Sequence, residues 1–314
     1  MNETEEAAIR YRVRHVTECR YTDDILLAQH LLHVKPRDLD RQRLIACRTA
    51  VEPLPTAIAD HFDYFGNPAT YVAIEAPHRG LAVVTEFEIV VHPPALPEPS
   101  ATPPWEEIRD ELIAAGNPAA IEAVRFSLPT RHVPILSELG AYAAMSFTPG
   151  RPIAEAAVEL GERIHDEFQF DPVATTISTP IADVLAAKRG VCQDFAHLAI
   201  GCLRALGLAG RYVSGYLRTV PPPGSPRLQG ADASHAWLSV WCGGETWLDL
   251  DPTNGRIGSA DIVTLAWGRD YSDVSPMRGV IIGGGNQTVA VKVDVEPLPA
   301  PDGSEAAAVV ESPG

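Results

Sequence analysis

Apolar residues recur along this chain with two different periods, and each change of period marks a change of structure. Near the start, Ile9, Tyr11 and Val13 alternate with Arg10, Arg12 and Arg14, the pattern of a half-buried strand. Arg43–Val51 reads as a second strand, with Ile45, Cys47 and Val51 on one side. Asp63-Tyr64-Phe65-Gly66-Asn67-Pro68 is turn chemistry. Tyr71–Glu75 and Leu81–Val91 flank a second turn at Pro77-His78-Arg79-Gly80, and Leu81, Val83, Phe87, Ile89 and Val91 share one face. Short strands separated by turns predict a small antiparallel β-sandwich or barrel domain over residues 1–95. Pro93, Pro94, Pro97, Pro99, Pro103 and Pro104 then form a connector that marks its boundary.

The period beyond the connector is helical. Thr102-Pro103 precedes Trp105, Ile108, Leu112 and Ile113; Pro118 precedes Ile121 and Val124. Pro152 opens a longer helix through Ile153, Ala156, Ala157, Leu160, Ile164 and Phe168, and Thr179-Pro180 a short one that ends by Gly190. In the next helix Cys192, Phe195, Ala196, Ala199, Cys202, Leu203 and Leu206 form one buried stripe, stopped by Gly207. The period then returns to two. Arg211–Thr219, Ser234–Trp241 and Glu245–Asp251 read as strands, the last two joined by Cys242-Gly243-Gly244. Val289, Val291, Val293 and Val295 alternate with polar residues in a final strand. This predicts an α+β unit over residues 96–297, helices packed on an antiparallel sheet, followed by a disordered tail, 298–314. Val220–Pro226 is a long proline-rich loop, and the connection over 220–230 is a candidate lid.

Charge and cysteine usage narrow the functional class. The 314 residues carry a formal net charge of -16, which argues against nucleic-acid binding. The five cysteines are widely spaced with no Cys-x-x-Cys pair, so neither a disulfide framework nor a cysteine zinc site is expected. His15, His30 and His33 lack carboxylates at metal-binding spacing, and Gly283-Gly284-Gly285 lacks the residues of a phosphate loop. No metal and no nucleotide cofactor are expected. The acidic Met1–Glu6 start is unlike a signal peptide and no apolar run has the length of a membrane span, so a cytoplasmic protein without membrane contact is expected.

The chemistry concentrates around Cys192. A thiol where a loop becomes a helix meets unpaired backbone N–H groups and the positive end of the helix dipole, both of which favour a nucleophilic thiolate. After this helix the first histidine is His235, followed by Asp249 and Asp251. A thiol, an imidazole and a carboxylate are the parts needed for nucleophilic acyl chemistry. Hairpin geometry constrains the set. A two-residue loop at Gly243-Gly244 would put both aspartates on the face opposite His235. A three-residue loop over Cys242–Gly244 puts His235 directly opposite Asp251, with Cβ atoms ~5 Å apart. Asp251 is therefore the expected partner, with Asp249 one pair further in, opposite Trp237. The Cys192 backbone N–H is the expected oxyanion donor, with Gln193 as a weaker candidate. Asp194 fits a role in complementing the helix dipole and His197 a structural hydrogen bond. Tyr216 and Trp237 are candidates to line or wall the cleft.

The segments Gly190-Val191-Cys192-Gln193-Asp194-Phe195-Ala196-His197, Arg211-Tyr212-Val213-Ser214-Gly215-Tyr216, Ser234-His235-Ala236-Trp237 and Asp251-Pro252-Thr253-Asn254 resemble the core motifs of the bacterial transglutaminase-like superfamily. Gly268–Val274 with Pro276 and Gly279 resembles a segment downstream of that core; Pro36-Arg37 and Asp63–Asn67 resemble the N-terminal region often joined to it. The resemblance implies a papain-like cysteine core, with Cys192 as nucleophile, His235 as general base and acid, and Asp251 as the orienting group. It also implies a protein or peptide substrate presenting a glutamine side chain or another peptide-like amide. The family includes amide transferases, peptidases and members that have lost the triad. Two readings follow: a cysteine acyl-transfer enzyme working through a thioester, or a non-catalytic binding protein on the same fold.

Overall fold

The computed structural model describes residues 8–219 and 233–299. The expected loop and lid over 220–230 and nearly all of the expected tail lie outside the described residues. The first part of the chain forms β1 (Ile9–Leu32), β2 (Gln42–Glu52), β3 (Ala57–Phe62), β4 (Pro68–Ile74) and β5 (His78–Val91). Helices α1 (Trp105–Ala114), α2 (Pro118–Val124), α3 (Ser137–Ala143) and α4 (Ile153–Glu167) follow the connector. Then come β6 (Gln169–Phe170), α5 (Ile181–Ala187), β7 (Arg189–Gly190) and α6 (Cys192–Ala205). The chain continues through β8 (Gly210–Leu217), β9 (Ala233–Trp241), β10 (Trp247–Asp251), β11 (Arg256–Ile257), β12 (Ile262–Gly268) and the short α7 (Tyr271–Val274). It closes with β13 (Met277–Gly283) and β14 (Gln287–Leu298).

The fold is α+β, as the sequence predicts, and β1 organises its first half. The alternation visible at Ile9–Arg14 belongs to a strand of 24 residues. Its first half pairs with β5 on one edge, Val13 against Phe87, and with β14 on the other, Val13 against Val295. Its second half lies between β4 and β13 in the same way. With β2 on β5 and β3 on β4, the result is a curled antiparallel sheet of seven strands resembling half a barrel. Strand pairing therefore does not follow the expected division at residue 95, since β13 and β14 return to complete the first sheet. The turn between them passes through Gly283, Gly284 and Gly285, all at positive φ, which is the conformational use of this glycine run.

A second antiparallel sheet, ordered β11-β10-β9-β8-β12, packs against α6. Along α6 the expected stripe is buried, including Phe195, Ala196, Ala199, Cys202 and Leu203. One hydrophobic core runs from Tyr11, Val13 and Val295 through α6 to Leu238 and Trp241, so the two sheets share an interior. Thr102 Oγ1 accepts a hydrogen bond from the Ala154 N–H in the first turn of α4, 3.1 Å away, and so ties the connector to that helix.

Tyr216 sits at the junction. Its ring stacks on Phe87 with centroids 6.2 Å apart, and a 2.7 Å hydrogen bond links its hydroxyl to Nδ1 of His15. His15 is buried, and its other nitrogen contacts Thr17 Oγ1 at 2.8 Å. Burial pushes the His15 imidazole down to about 4, so it is neutral at physiological pH. Replacing Tyr216 by Phe keeps the ring and leaves Nδ1 of His15 buried without a partner. The expected loss of stability is about 1–3 kcal/mol. Urea unfolding would measure it, and a change within experimental error would show that this hydrogen bond does not help to join the sheets.

Candidate active site

The segment that delivers Cys192 is held on both sides. Gln169 and Phe170 at the end of α4 pair in parallel with Arg189 and Gly190. Val191 is extended, with φ -114° and ψ 177°, and its N–H donates to Asp194 Oδ2 at 2.8 Å. The same oxygen accepts from Thr175 Oγ1 at 2.6 Å. Asp194 thus takes the helix-terminus role expected of it, buried rather than solvated. Gly190 is required here, because a Cβ at that position would lie 2.9 Å from the Asp194 Cβ. Cys192 is the first residue of α6 and half-buried. Helix geometry leaves the backbone N–H groups of this first turn without intrahelical acceptors.

The imidazole and carboxylate come from the sheet. On β9, His235 faces Gly215 of β8. Its Nε2 meets Asp251 Oδ2 at 2.7 Å, and both residues are buried. The hairpin that brings them together differs from the expected one. Trp241 pairs with Trp247 and Leu238 with Leu250, so the turn spans residues 242–246 rather than 242–244. Cys242 and Thr246 close that turn with a 2.9 Å backbone bond. The longer turn shifts the register by two positions. Asp251 therefore remains on the face expected of it but reaches His235 diagonally, while Asp249 faces Ser239 instead of Trp237.

Asp251 also shapes the turn that follows. Its Oδ1 accepts the N–H groups of Thr253 at 3.0 Å and Asn254 at 3.3 Å, an Asx-type turn. Its Oδ2 accepts from Asn254 Nδ2 at 2.7 Å as well as from His235. From α4, His165 braces this turn through a 3.0 Å contact with the Thr253 carbonyl. Asn254 belongs to the Asp251–Asn254 motif without a role of its own in the sequence; its position three residues after Asp251 is the signal that such a turn is available.

Electrostatics couple the pair. Burial by itself would lower the His235 imidazole, but hydrogen bonds to Asp251 and to the Cys192 thiol, with their charges, outweigh it and hold the ring at about 9. Asp251 is opposed by its own burial in the same way, yet His235 and Asn254 bring it below the ordinary carboxylate range. Nε2 is committed to Asp251, with Asn254 Nδ2 3.4 Å away, so Nδ1 is the ring nitrogen that Asp251 does not engage. Cys192, Gln193 and His235 line one open cleft of about 470 Å³, together with Tyr212, Ser214 and Tyr271. The first sheet supplies another wall through His15, Val291 and Val293.

The other sequence-predicted residues divide. Gln193 lies in the cleft. Tyr216 does not line it and belongs to the junction described above. Trp237 lies behind the site, fully buried, with its ring stacked at 6.1 Å from that of His235. Gly215 makes room for it, since a Cβ there would come within 2.6 Å of the indole. His197 keeps the expected structural role: its Nε2 accepts the Tyr271 N–H at 3.1 Å, and burial beside His132 and Arg204 brings it down to about 3.

Residues 11–90 match the family model for the bacterial transglutaminase-like N-terminal region, and residues 142–252 that for the transglutaminase-like superfamily core. An uncharacterized protein of Mycobacterium tuberculosis is 42% identical over 297 residues, covering 92% of this chain and 93% of that one. A solved structure from Cytophaga hutchinsonii, described as a candidate cysteine protease, aligns over 94% of this chain and 92% of its own with a TM-score of 0.73 at 17% identity, a likeness of fold. A protein-glutamine gamma-glutamyltransferase of Pseudomonas aeruginosa matches locally, 33% identical over 94 residues, which is 27% of this chain and 14% of that protein.

The electrostatic coupling has a defined sign. A histidine raised from 6.5 to about 9 contributes stability that is complete below about 6.5 and is lost as pH climbs through about 9. The lowered Asp251 contributes above the ordinary carboxylate range, and its contribution is lost as acid protonates it. In an Asp251→Asn variant, His235 followed by imidazole NMR is expected to titrate well below the parent, and the alkaline loss of stability to shrink. An unchanged titration would mean that Asp251 does not control the ring.

Proposed function

Because the chain belongs to the transglutaminase-like superfamily, with the bacterial transglutaminase-like N-terminal region preceding its core, we propose that it is a cysteine acyl-transfer enzyme acting on amide carbonyls. The observation that carries this reading is the buried His235–Asp251 pair, with Cys192 and His235 lining the same open cleft.

In this mechanism the Cys192 thiol gives its proton to Nδ1 of His235, the sulfur attacks the carbonyl carbon of an amide, and the electron pair of the C=O bond moves onto oxygen. The unpaired N–H of Cys192 at the start of α6 stabilises that oxyanion, and the Gln193 side chain lies in the same cleft. Collapse of the tetrahedral intermediate breaks the C–N bond. His235, protonated at Nδ1, donates the proton that the departing amine needs. Asp251 keeps Nε2 protonated and stabilises the imidazolium throughout. The acyl group is left on Cys192 as a thioester. An incoming amine then gives transamidation, or water gives hydrolysis, with His235 accepting the proton of either nucleophile. Glutamine side chains and peptide-like amides are the proposed donors. The local match to a protein-glutamine gamma-glutamyltransferase covers 94 residues and supports that class.

The test is a Cys192→Ala variant assayed against a glutamine-containing peptide library, with and without a primary amine. Amide turnover is expected to fall by at least about 10³-fold, as for loss of a nucleophile in a triad. In the parent, iodoacetamide is expected to label Cys192 at neutral pH faster than an ordinary exposed thiol. Turnover that survives the substitution would remove Cys192 from the chemistry.

A further inference from the structure

The face of the second sheet that turns away from α6 carries a separate pocket of about 250 Å³. It is bounded by Arg41, Arg211 and Asp249 and, on its apolar side, by Leu39, Pro94 and Leu96. None of these residues takes part in the chemistry proposed above. The Arg211 guanidinium is stacked between Trp247 at 4.2 Å and Trp267 at 3.9 Å. It forms no hydrogen bond or ion pair with a described residue, and its Nε is buried without a partner. Arg41 uses Nη2 for Asp249 at 3.4 Å and Thr264 Oγ1 at 2.9 Å, but its Nη1 is also buried and unpartnered. Asp249 is already engaged by Arg41 and by the Ser239 hydroxyl. The Arg211 guanidinium therefore reaches the wall of an open cavity with no hydrogen-bond acceptor among the described residues, although Asp249 and Asp40 lie in the same lining. Leaving buried donors unpaired is costly, most of all on a charged group.

We propose that this pocket binds a small monocarboxylate, its two oxygens taken by the terminal nitrogens of the Arg211 guanidinium, and its apolar remainder lying against Leu39, Pro94 and Leu96. The planar fork of a guanidinium matches the two oxygens of a carboxylate. Asp40 and Asp249 also line the cavity, so their charges oppose a doubly charged ligand such as phosphate more strongly than a singly charged one. The stacking of two indoles on Arg211 fixes its fork before the ligand arrives, which lowers the ordering cost of binding.

The test uses the full chain and sodium benzoate at constant ionic strength. Calorimetry should show saturable binding, and the tryptophan fluorescence should change as the charge beside Trp247 and Trp267 is met. Arg211→Gln should weaken binding at least about tenfold, the loss expected for one charged hydrogen-bond partner. Cys192→Ala should leave it unchanged, and inorganic phosphate should bind more weakly than benzoate. Should Arg211→Gln fail to fold, Arg41→Gln replaces it, with a smaller loss expected. No saturable binding to the parent, equal affinity in the arginine variant, loss in Cys192→Ala, or phosphate binding as tightly as benzoate would each overturn the assignment. None of these measurements depends on amide turnover, so the site and the proposed reaction stand or fall separately.

Discussion

A carboxylate taken out of water must have its charge answered, and Asp251 is buried to 8% exposure. Its two oxygens are used differently. One holds the backbone of the turn at Thr253 and Asn254, and the other accepts from His235 and from the Asn254 side chain. The turn and the imidazole therefore cannot move independently. Through the Thr253 carbonyl the arrangement is tied to His165 on α4, and through the imidazole it reaches the start of α6. Breaking a buried pair on one side leaves the other member charged and unsatisfied, so the surroundings are bound to keep it intact.

The site also depends on the first sheet. Cys192 and His235 come from the helical core and its own sheet, but His15, Val291 and Val293 close the cleft from the other side. Tyr216 explains how the two parts keep their distance. It stands on β8, one residue beyond Gly215, and reaches out of the second sheet to Phe87 and His15 of the first. A residue that looked like a cleft candidate is a spacer between sheets, and its buried, neutral histidine partner adds no charge to the cleft.

The apolar stripe on α6 was legible from its spacing, but the helix is buried on every side from Asp194 to Arg204, because strands, other helices and the α7 region all pack against it, which a one-face pattern does not show. The pairing of His235 with Asp251 was legible only in part. Strand alternation fixes which residues share a face, and that survived. Loop length does not follow from Cys242-Gly243-Gly244 alone, because Thr246 closes the turn through its backbone, a contact with no sequence signature. The diagonal approach, and the part played by Asn254, follow from that difference. Likewise β13 and β12 carry few strictly alternating positions, and their placement beside β1 and β8 is decided by partners far away in the chain. The family resemblance supplied the order of the motifs; it did not supply the register that joins them.

The pairing of β1 has a further consequence in time. Its early partners, β4 and β5, leave the ribosome soon after it, whereas β13 and β14 follow more than two hundred residues later, with Val13 waiting for Val295. Contacts of such separation form late and slowly. One long edge of β1 stays unpaired through most of synthesis, and the cleft lacks the wall carrying Val291 and Val293 until the last strand docks. Cys192 and His235 are both made earlier, so a nascent chain can hold both side chains before it holds the far wall of their cleft.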